Sequence, residues 1–392
     1  MIFILLMVFF GGVASELATA TPLIALREVQ NCDGCHKGGR SQKPFLWRRC
    51  TLDCQGCHVD PAGAGPRNEW GFWYQNDQAS MVNFFKPIDP LQDESFFDLH
   101  YDGRLAYQKV AGEAKSFPMS SEATFRLKPF RKMLSISYSA LLLGRTGDSL
   151  FRIVREGDRR FRERYSVMID ALPLNTYVRA YRGQPMYGLR RPNHTLWIRE
   201  RIGLSPFATT QATEAGGTPN VPYWRVSQMT GDPYVAEDLR QKGTSYHAGF
   251  RGVTLGWHLN ASGWKTQSKT HKIDMSAVGY GANIFDLIVY GETNTRTAQV
   301  LDATLTSELE ASKLHPSNKI SEYSVAYAGI LGVMFGVVHE TYKDEAIDST
   351  RFSYFVDLHP IPGLQLELWL RQEKGERELT DTLFMTHFYA DW

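Results

Sequence analysis

All five cysteines of this 392-residue chain fall between Cys32 and Cys57, and four of them build one pattern twice. Cys32-Asp33-Gly34-Cys35-His36 and Cys54-Gln55-Gly56-Cys57-His58 each place two thiols three positions apart, with an imidazole directly after the second. That is the c-type haem attachment signal. Two cysteines take the vinyl groups of one porphyrin as thioethers, and the adjacent histidine is placed to ligate its iron. Two copies imply two covalent haems c, with His36 and His58 as proximal ligands. The chief rival reading is a zinc ribbon, because Cys32, Cys35, Cys54 and Cys57 also fit a C-x2-C…C-x2-C spacing; an iron-sulfur cluster and a pair of disulfides are the others. A ribbon needs no histidine after each second cysteine and is at home in reducing compartments, so the two histidines favour haem. Cys50 is left over: a reduced thiol, an intermolecular bridge, or a small buried apolar residue.

The sequence also supplies few sixth ligands for two irons. The first 90 residues hold no histidine beyond the two motifs, and Met81 is the one methionine after the apolar start. The sixth ligands must therefore come from Met81, from water or from the later histidines, with His100 next in sequence and His194 in the most irregular stretch; the alternative for each of these is an ordinary lumen-facing histidine. His359 and His387 fall on polar faces of alternating segments. Only 18 residues separate Cys35 from Cys54, so the two porphyrins are expected to lie close together as a relay.

Several elements must position this segment. Residues 1–20 begin with an apolar run from Met1 to Phe10 and pass to Ala18-Thr19-Ala20, a secretory signal with a small-residue cleavage site but no basic residue before the apolar core. A retained anchor is the alternative, although the run is shorter than the ~20 residues of a spanning helix. Residues 21–95 form the dihaem segment, rich in turn-formers such as Lys37-Gly38-Gly39 and 60–66, so that the haems themselves would be its core. The aromatics between Glu69 and Phe85 either pack on haem edges or belong to a linker. The net charge of +1 gives no sign of nucleic acid.

From about residue 96 to Trp392 the hydrophobic period becomes two. Leu134, Ile136, Tyr138, Ala140 and Leu142 alternate with serines. Phe352 to Leu358 and Leu364 to Leu370 do the same against Ser353, Asp357, His359, Gln365, Glu367 and Arg371. Poorer runs lie near 123–128, 165–170, 246–251, 283–290 and 323–328. Such strands suit a soluble β-sandwich or a transmembrane β-barrel. The final stretch, Phe384 to Trp392, resembles the C-terminal strand of bacterial outer-membrane proteins, which ends in Phe or Trp. The resulting expectation is an all-β fold: a transmembrane antiparallel β-barrel of an even number of strands, around 14, preceded by a small irregular dihaem segment. Pro360-Ile361-Pro362-Gly363 reads as a short periplasmic turn and 372–380 as a longer charged outer loop, which puts both termini on the periplasmic side. Residues 183–235 are the poorest region: 182–185, 214–219 and 230–233 read as loops, and 194–201 as a short lumenal helix or a strand. The Arg-rich run from Arg152 to Arg164 reads as a solvated loop or strand end, or as a contact for lipopolysaccharide or haem propionate.

A signal peptide, an N-terminal CxxCH segment and a barrel with an aromatic end together resemble the fused outer-membrane cytochrome-porins, best known as iron oxidases, although those carry one CxxCH and this chain two. The resemblance implies electron transfer between an extracellular donor or acceptor, Fe(II) among them, and a periplasmic c-type cytochrome, by a protein embedded in outer-membrane lipid. A diffusion porin with a haem plug and a periplasmic dihaem redox enzyme are the other classes. No hydrolytic, transferase or nucleotide-binding pattern is present in the sequence.

Overall fold

The computed structural model describes residues 80–82, 96–130, 133–143, 161–188, 193, 195–204, 209–218, 221–235, 237–252, 256–301, 317–375 and 378–391. The presumed signal, both CxxCH motifs, Cys50, His194 and Trp392 lie outside these residues.

Among the described residues, sixteen antiparallel strands close into one barrel, each paired with its sequence neighbours, and β1 (Phe97–Val110) pairs with β16 (Leu379–Asp391) to complete the ring. Closure leaves no strand edge unpaired, which is the condition for a sheet to cross a lipid bilayer. The alternation seen in the sequence is what makes it close. In β7 (Pro222–Gly231), exposed and buried residues alternate without a break. Outward positions carry Leu99, Tyr101, Leu105 and Tyr107 on β1, and Leu368, Leu370, Phe384 and Phe388 on β15 (Leu364–Lys374) and β16. A continuous exposed apolar surface of this kind is stable only against lipid, and the protein is a transmembrane β-barrel. One irregularity has a local cause. Pro118 in β2 (Glu113–Leu127) cannot donate to a ladder, and the β1–β2 register shifts beside it, between Arg104 and Leu105.

The strand count exceeds the expected 14, and the reason lies in residues 183–235. The segment 214–219, read as a loop, supplies half of β6 (Thr210–Gly217), whose Ala212, Ala215, Gly216 and Gly217 carry almost no strand signal. It is held between β5 (Thr176–Gly183) and β7 by ladder pairing rather than by propensity. The run at 283–290 is likewise corrected: it spans the turn Phe285–Asp286 between β10 (His271–Ile284) and β11 (Leu287–Val300), both turn residues having positive φ. The connection expected over 372–380 is shortened to 375–378, because both flanking strands run further.

At the end of the barrel where β1 begins and β16 ends, connections are two to six residues long, such as 285–286, 331–332 and 362–363. The opposite end carries the long ones, including 144–160, 184–209 and 301–317. The remaining strands are β3 (Leu134–Leu143), β4 (Phe161–Leu172), β8 (Lys242–Gly252), β9 (Trp257–Gln267), β12 (Asn318–Ile330), β13 (Val333–Lys343) and β14 (Asp348–Ile361). Sixteen strands ~4.8 Å apart and tilted ~40° enclose a cylinder about 30 Å across, too wide for wall side chains alone to fill.

Candidate functional site: a filled lumen

What fills the barrel, in part, is the connection between β5 and β6. It turns inward, and its short helix α1 (Trp197–Glu200) packs against β11, β12 and β13 on the far wall. The expectation of a short lumenal helix within 194–201 holds for residues 197–200. Leu196, Trp197, Ile198 and Ile202 of this strap are buried, so its apolar residues face other protein and not water.

The strap is tied down by specific polar contacts. Glu340 on β13 accepts the Trp197 backbone N–H at 2.6 Å and the Arg351 Nε at 2.7 Å, which satisfies an amide that begins the helix and neutralises a buried guanidinium with one carboxylate. Arg351 donates on to the Thr195 carbonyl at 2.9 Å, and Arg371 Nη1 donates to Thr195 Oγ1 at 2.8 Å while its Nε donates to Asp381 at 2.6 Å. Arg296 Nη1 donates to the Ile202 carbonyl at 2.6 Å. The guanidinium of Arg201 lies 4.5 Å from the Trp197 ring centre and 4.3 Å from that of Tyr342. Near the start of the strap, the Gly188 N–H donates to Ser262 Oγ at 2.9 Å. Gly188 has φ +60°, and a Cβ there would fall 2.5 Å from Glu292 Oε1. Both the backbone and the close approach demand glycine at this position.

The wall behind the strap is a network of paired charges. Glu214 accepts from Tyr177 at 2.6 Å, Arg179 at 2.9 Å and Ser227 at 2.6 Å, linking β5, β6 and β7. Arg164, the last of the Arg-rich run, faces inward and pairs with Glu122 at 3.0 Å. The burial decides how wet this lumen is. Glu214, Arg225, Ser245, Asn283, Glu322, Glu340 and Ser353, spread over β6 to β14, are each 2% exposed or less, whereas the inward Asp98, Asp102 and Arg104 of β1 and Arg164 of β4 are part-exposed.

At the rim, Asp232 and Asp344 lie in connections at the opposite end from where β1 begins and β16 ends. Burial raises the pKa of Asp232, but the Thr209 hydroxyl, the Tyr234 N–H and Arg182 outweigh it and hold the carboxyl below its ordinary range. Asp344 is lowered in the same way, against burial, by the Tyr342 hydroxyl, the N–H groups of Ala346 and Ile347, and Arg201.

Of the residues expected to hold haem, Cys32, Cys35, His36, Cys54, Cys57, His58 and His194 fall outside the described residues. The other distal candidates converge. His100, His359 and His387 sit on the inner faces of β1, β14 and β16, all near the end where β1 begins and β16 ends. His387 bridges Asp102 at 2.7 Å and Gln365 at 3.0 Å, and His359 Nε2 lies 3.2 Å from Asp357. The backbone N–H groups of Met81 and Val82 donate to the carbonyls of His359 and Pro360 at 2.9 and 3.2 Å. The chain following the CxxCH motifs is thus joined to this rim. Among the described residues, no group of three or more His, Cys, Asp or Glu side chains is arranged to hold a metal ion. A fourth histidine at this end, His258 on β9, carried no distinguishing signal in the sequence beyond its place in Trp257-His258-Leu259-Asn260.

No family model matches the sequence, and no curated protein matches it either. Solved structures do match. The loop L8 deletion mutant of OmpT, an outer membrane protein of Vibrio cholerae, aligns with TM-score 0.54 and 8% identity over 75% of this chain and 99% of that one. In-vitro folded OmpT of Vibrio cholerae aligns with TM-score 0.48 and 9% identity, covering 76% and 99%. OccK3 (OpdO) of Pseudomonas aeruginosa aligns with TM-score 0.45 and 10% identity, covering 76% and 96%. The first of these likenesses is one of fold: the chain has the closed-barrel architecture of an outer-membrane protein.

Proposed function

We propose that this protein carries electrons across a bacterial outer membrane, as a sealed porin-like barrel that sheathes a dihaem segment. Haem c bound through Cys32 and Cys35 and through Cys54 and Cys57, with His36 and His58 as proximal ligands, supplies a one-electron carrier at each motif. The barrel's part is positioning and insulation. An apolar band about 25 Å tall cannot be crossed by a redox partner on one side alone, so the carriers must be held in or at the lumen. The hydrogen bonds from Met81 and Val82 to the last residues of β14 hold this part of the chain at one mouth of the barrel, with His100, His359 and His387 at the same end.

Short connections at the end where β1 begins and β16 ends and long ones at the other match periplasmic turns and extracellular loops. That orientation gives the rim beside Met81 to a periplasmic c-type cytochrome and the far rim to an extracellular donor or acceptor. Fe(II) is the donor that the resemblance to cytochrome-porins implies.

The observation that carries this reading over a diffusion porin is the burial of the lumenal face of β6 to β14 beneath the strap. Side chains on an aqueous channel are wetted, whereas Glu214, Arg225, Glu322 and Glu340 on that face are buried. A periplasmic dihaem enzyme has no use for a lipid-facing barrel. The test is the haem content of protein purified from the outer-membrane fraction, by pyridine haemochrome, with zinc assayed in parallel. Two covalent haems per chain are expected; zinc without haem, or protein only in the soluble fraction, refutes the reading.

A further inference from the structure

Resting on that reading, we propose that His258 ligates the iron of one of the two haems inside the lumen, with Arg251 and Asn260 placed to meet its propionates. His258 is the second residue of β9, at the barrel end where β1 begins and β16 ends. Its neighbour Trp257 is exposed on the outer surface, so His258 points inward, where it is 6% exposed. Among the described residues, nothing hydrogen-bonds its buried Nε2. Asn260 lies two positions on along the same face, is 2% exposed, and has neither Oδ1 nor Nδ2 satisfied among the described residues. Three buried polar atoms on adjacent inward positions of one strand are an uncompensated desolvation cost that a bound group or water would offset.

The other lumenal histidines behave differently. His247 Nδ1 is 2.7 Å from Ser262 Oγ, His271 Nδ1 is 2.7 Å from Thr270 Oγ1, and His359 and His387 each face a carboxylate. Each has a partner that fixes its ring. His100, His271 and His359 also have one buried ring nitrogen without a bond among the described residues, but each ring has a partner elsewhere, whereas the His258 ring makes no hydrogen bond among the described residues, so its buried Nε2 has a lone pair to offer to iron.

The surroundings fit a porphyrin in particular. Directly across from His258 are Arg251 on β8 and Gly281 on β10, and across from Asn260 on β10 is Gly279. Directly opposed residues share a face of the sheet. Two glycines therefore leave this part of the β10 wall without side chains, with Tyr290 and Glu292 of β11 beyond them. On the β8 side a fully buried guanidinium supplies positive charge, and propionate is the carboxylate that a haem brings with it. Reach is sufficient. Twenty-two residues separate His58 from Met81, and an extended chain of that length spans about 70 Å, against a barrel about 30 Å across.

The test uses the full-length, haem-loaded protein in detergent. Haem content is measured first, and two haems per chain must be found; a chain without haem overturns both this proposal and the reading it rests on. Low-temperature electron paramagnetic resonance and visible spectra are then compared for the wild type, His258→Gly, His258→Met and the control His247→Ala. In His258→Gly one haem of the two, about half of the total signal, is expected to pass from low spin to high spin and to return on adding imidazole. His258→Met retains a donor atom and is expected to keep a low-spin haem with a shifted spectrum, which covers the case in which the glycine variant fails to fold. His247→Ala is expected to leave the spectra unchanged. Two haems per chain with wild-type spectra in His258→Gly or His258→Met overturn the assignment of His258 and leave the conduit standing.

Discussion

Glu340 is the residue on which the strap's docking most depends, and its replacement by alanine has a calculable effect. The carboxylate holds the Trp197 N–H at 2.6 Å and the Arg351 Nε at 2.7 Å, in a position that is fully buried. Removing it strands the guanidinium of Arg351, which is 7% exposed, and loss of one partner of a buried ion pair costs about 3–5 kcal/mol. The abandoned amide adds about 1–3 kcal/mol. The ladders on either side of β13 are untouched, so the barrel persists and the loss falls on the strap. Taking ~3 kcal/mol as the share that weakens docking, the undocked population rises about 150-fold. The assay is ionic conductance across a planar bilayer, with heat-modifiable migration to verify the folded barrel. Wild-type protein is expected to be silent, Glu340→Ala to show frequent openings, and Glu340→Gln, which still accepts the amide, to lie between. Glu340→Ala that folds and remains as tight as the wild type refutes the strap as the seal.

Other outcomes follow from the same contacts. Arg371→Ala frees Thr195 Oγ1 and leaves Asp381 without its guanidinium, so conductance should rise, and the double variant with Glu340→Ala should exceed either alone by less than the sum because both act through one strap. Trp197→Ala removes a buried indole stacked under two guanidiniums and should lower stability by about 3–5 kcal/mol or undock the strap, read by urea unfolding and by conductance. Asp232 has a folded pKa below its unfolded value of about 3.9, so its contribution is complete above that pH and fades as pH falls through the folded value. Protease cleavage in the connection 232–241 should therefore rise on acidification below about pH 4, and Asp232→Asn should abolish that dependence. Cys32→Ala combined with Cys35→Ala should leave one covalent haem per chain in the haemochrome assay.

The strands whose inward residues are polar and outward residues apolar were legible from the sequence. β14 and β15 are the clearest cases, with Phe352 to Leu358 and Leu364 to Leu370 facing lipid. β6 was not, because Gly216, Gly217 and the alanines of Thr210–Gly217 give no pattern of their own, and the strand exists through its two ladders. The run at 283–290 misled because Ile284, Leu287 and Ile288 are apolar on both sides of a two-residue turn. The strap helix was visible as an irregular apolar-basic stretch, but its partners Glu340, Arg351 and Arg371 lie 140 or more residues away, and no local signal ties them to it. His258 was missed for the same reason. Its environment is made by Arg251, Gly279 and Gly281 on neighbouring strands, and only the closed sheet brings them together.

The most direct test of the central claim is electron transfer across proteoliposomes holding both a trapped redox dye and a trapped small solute. Adding a membrane-impermeant reductant outside is expected to reduce the dye while the solute stays inside. Loss of solute with the dye still oxidised would mean that the barrel is an open channel and not an electron conduit.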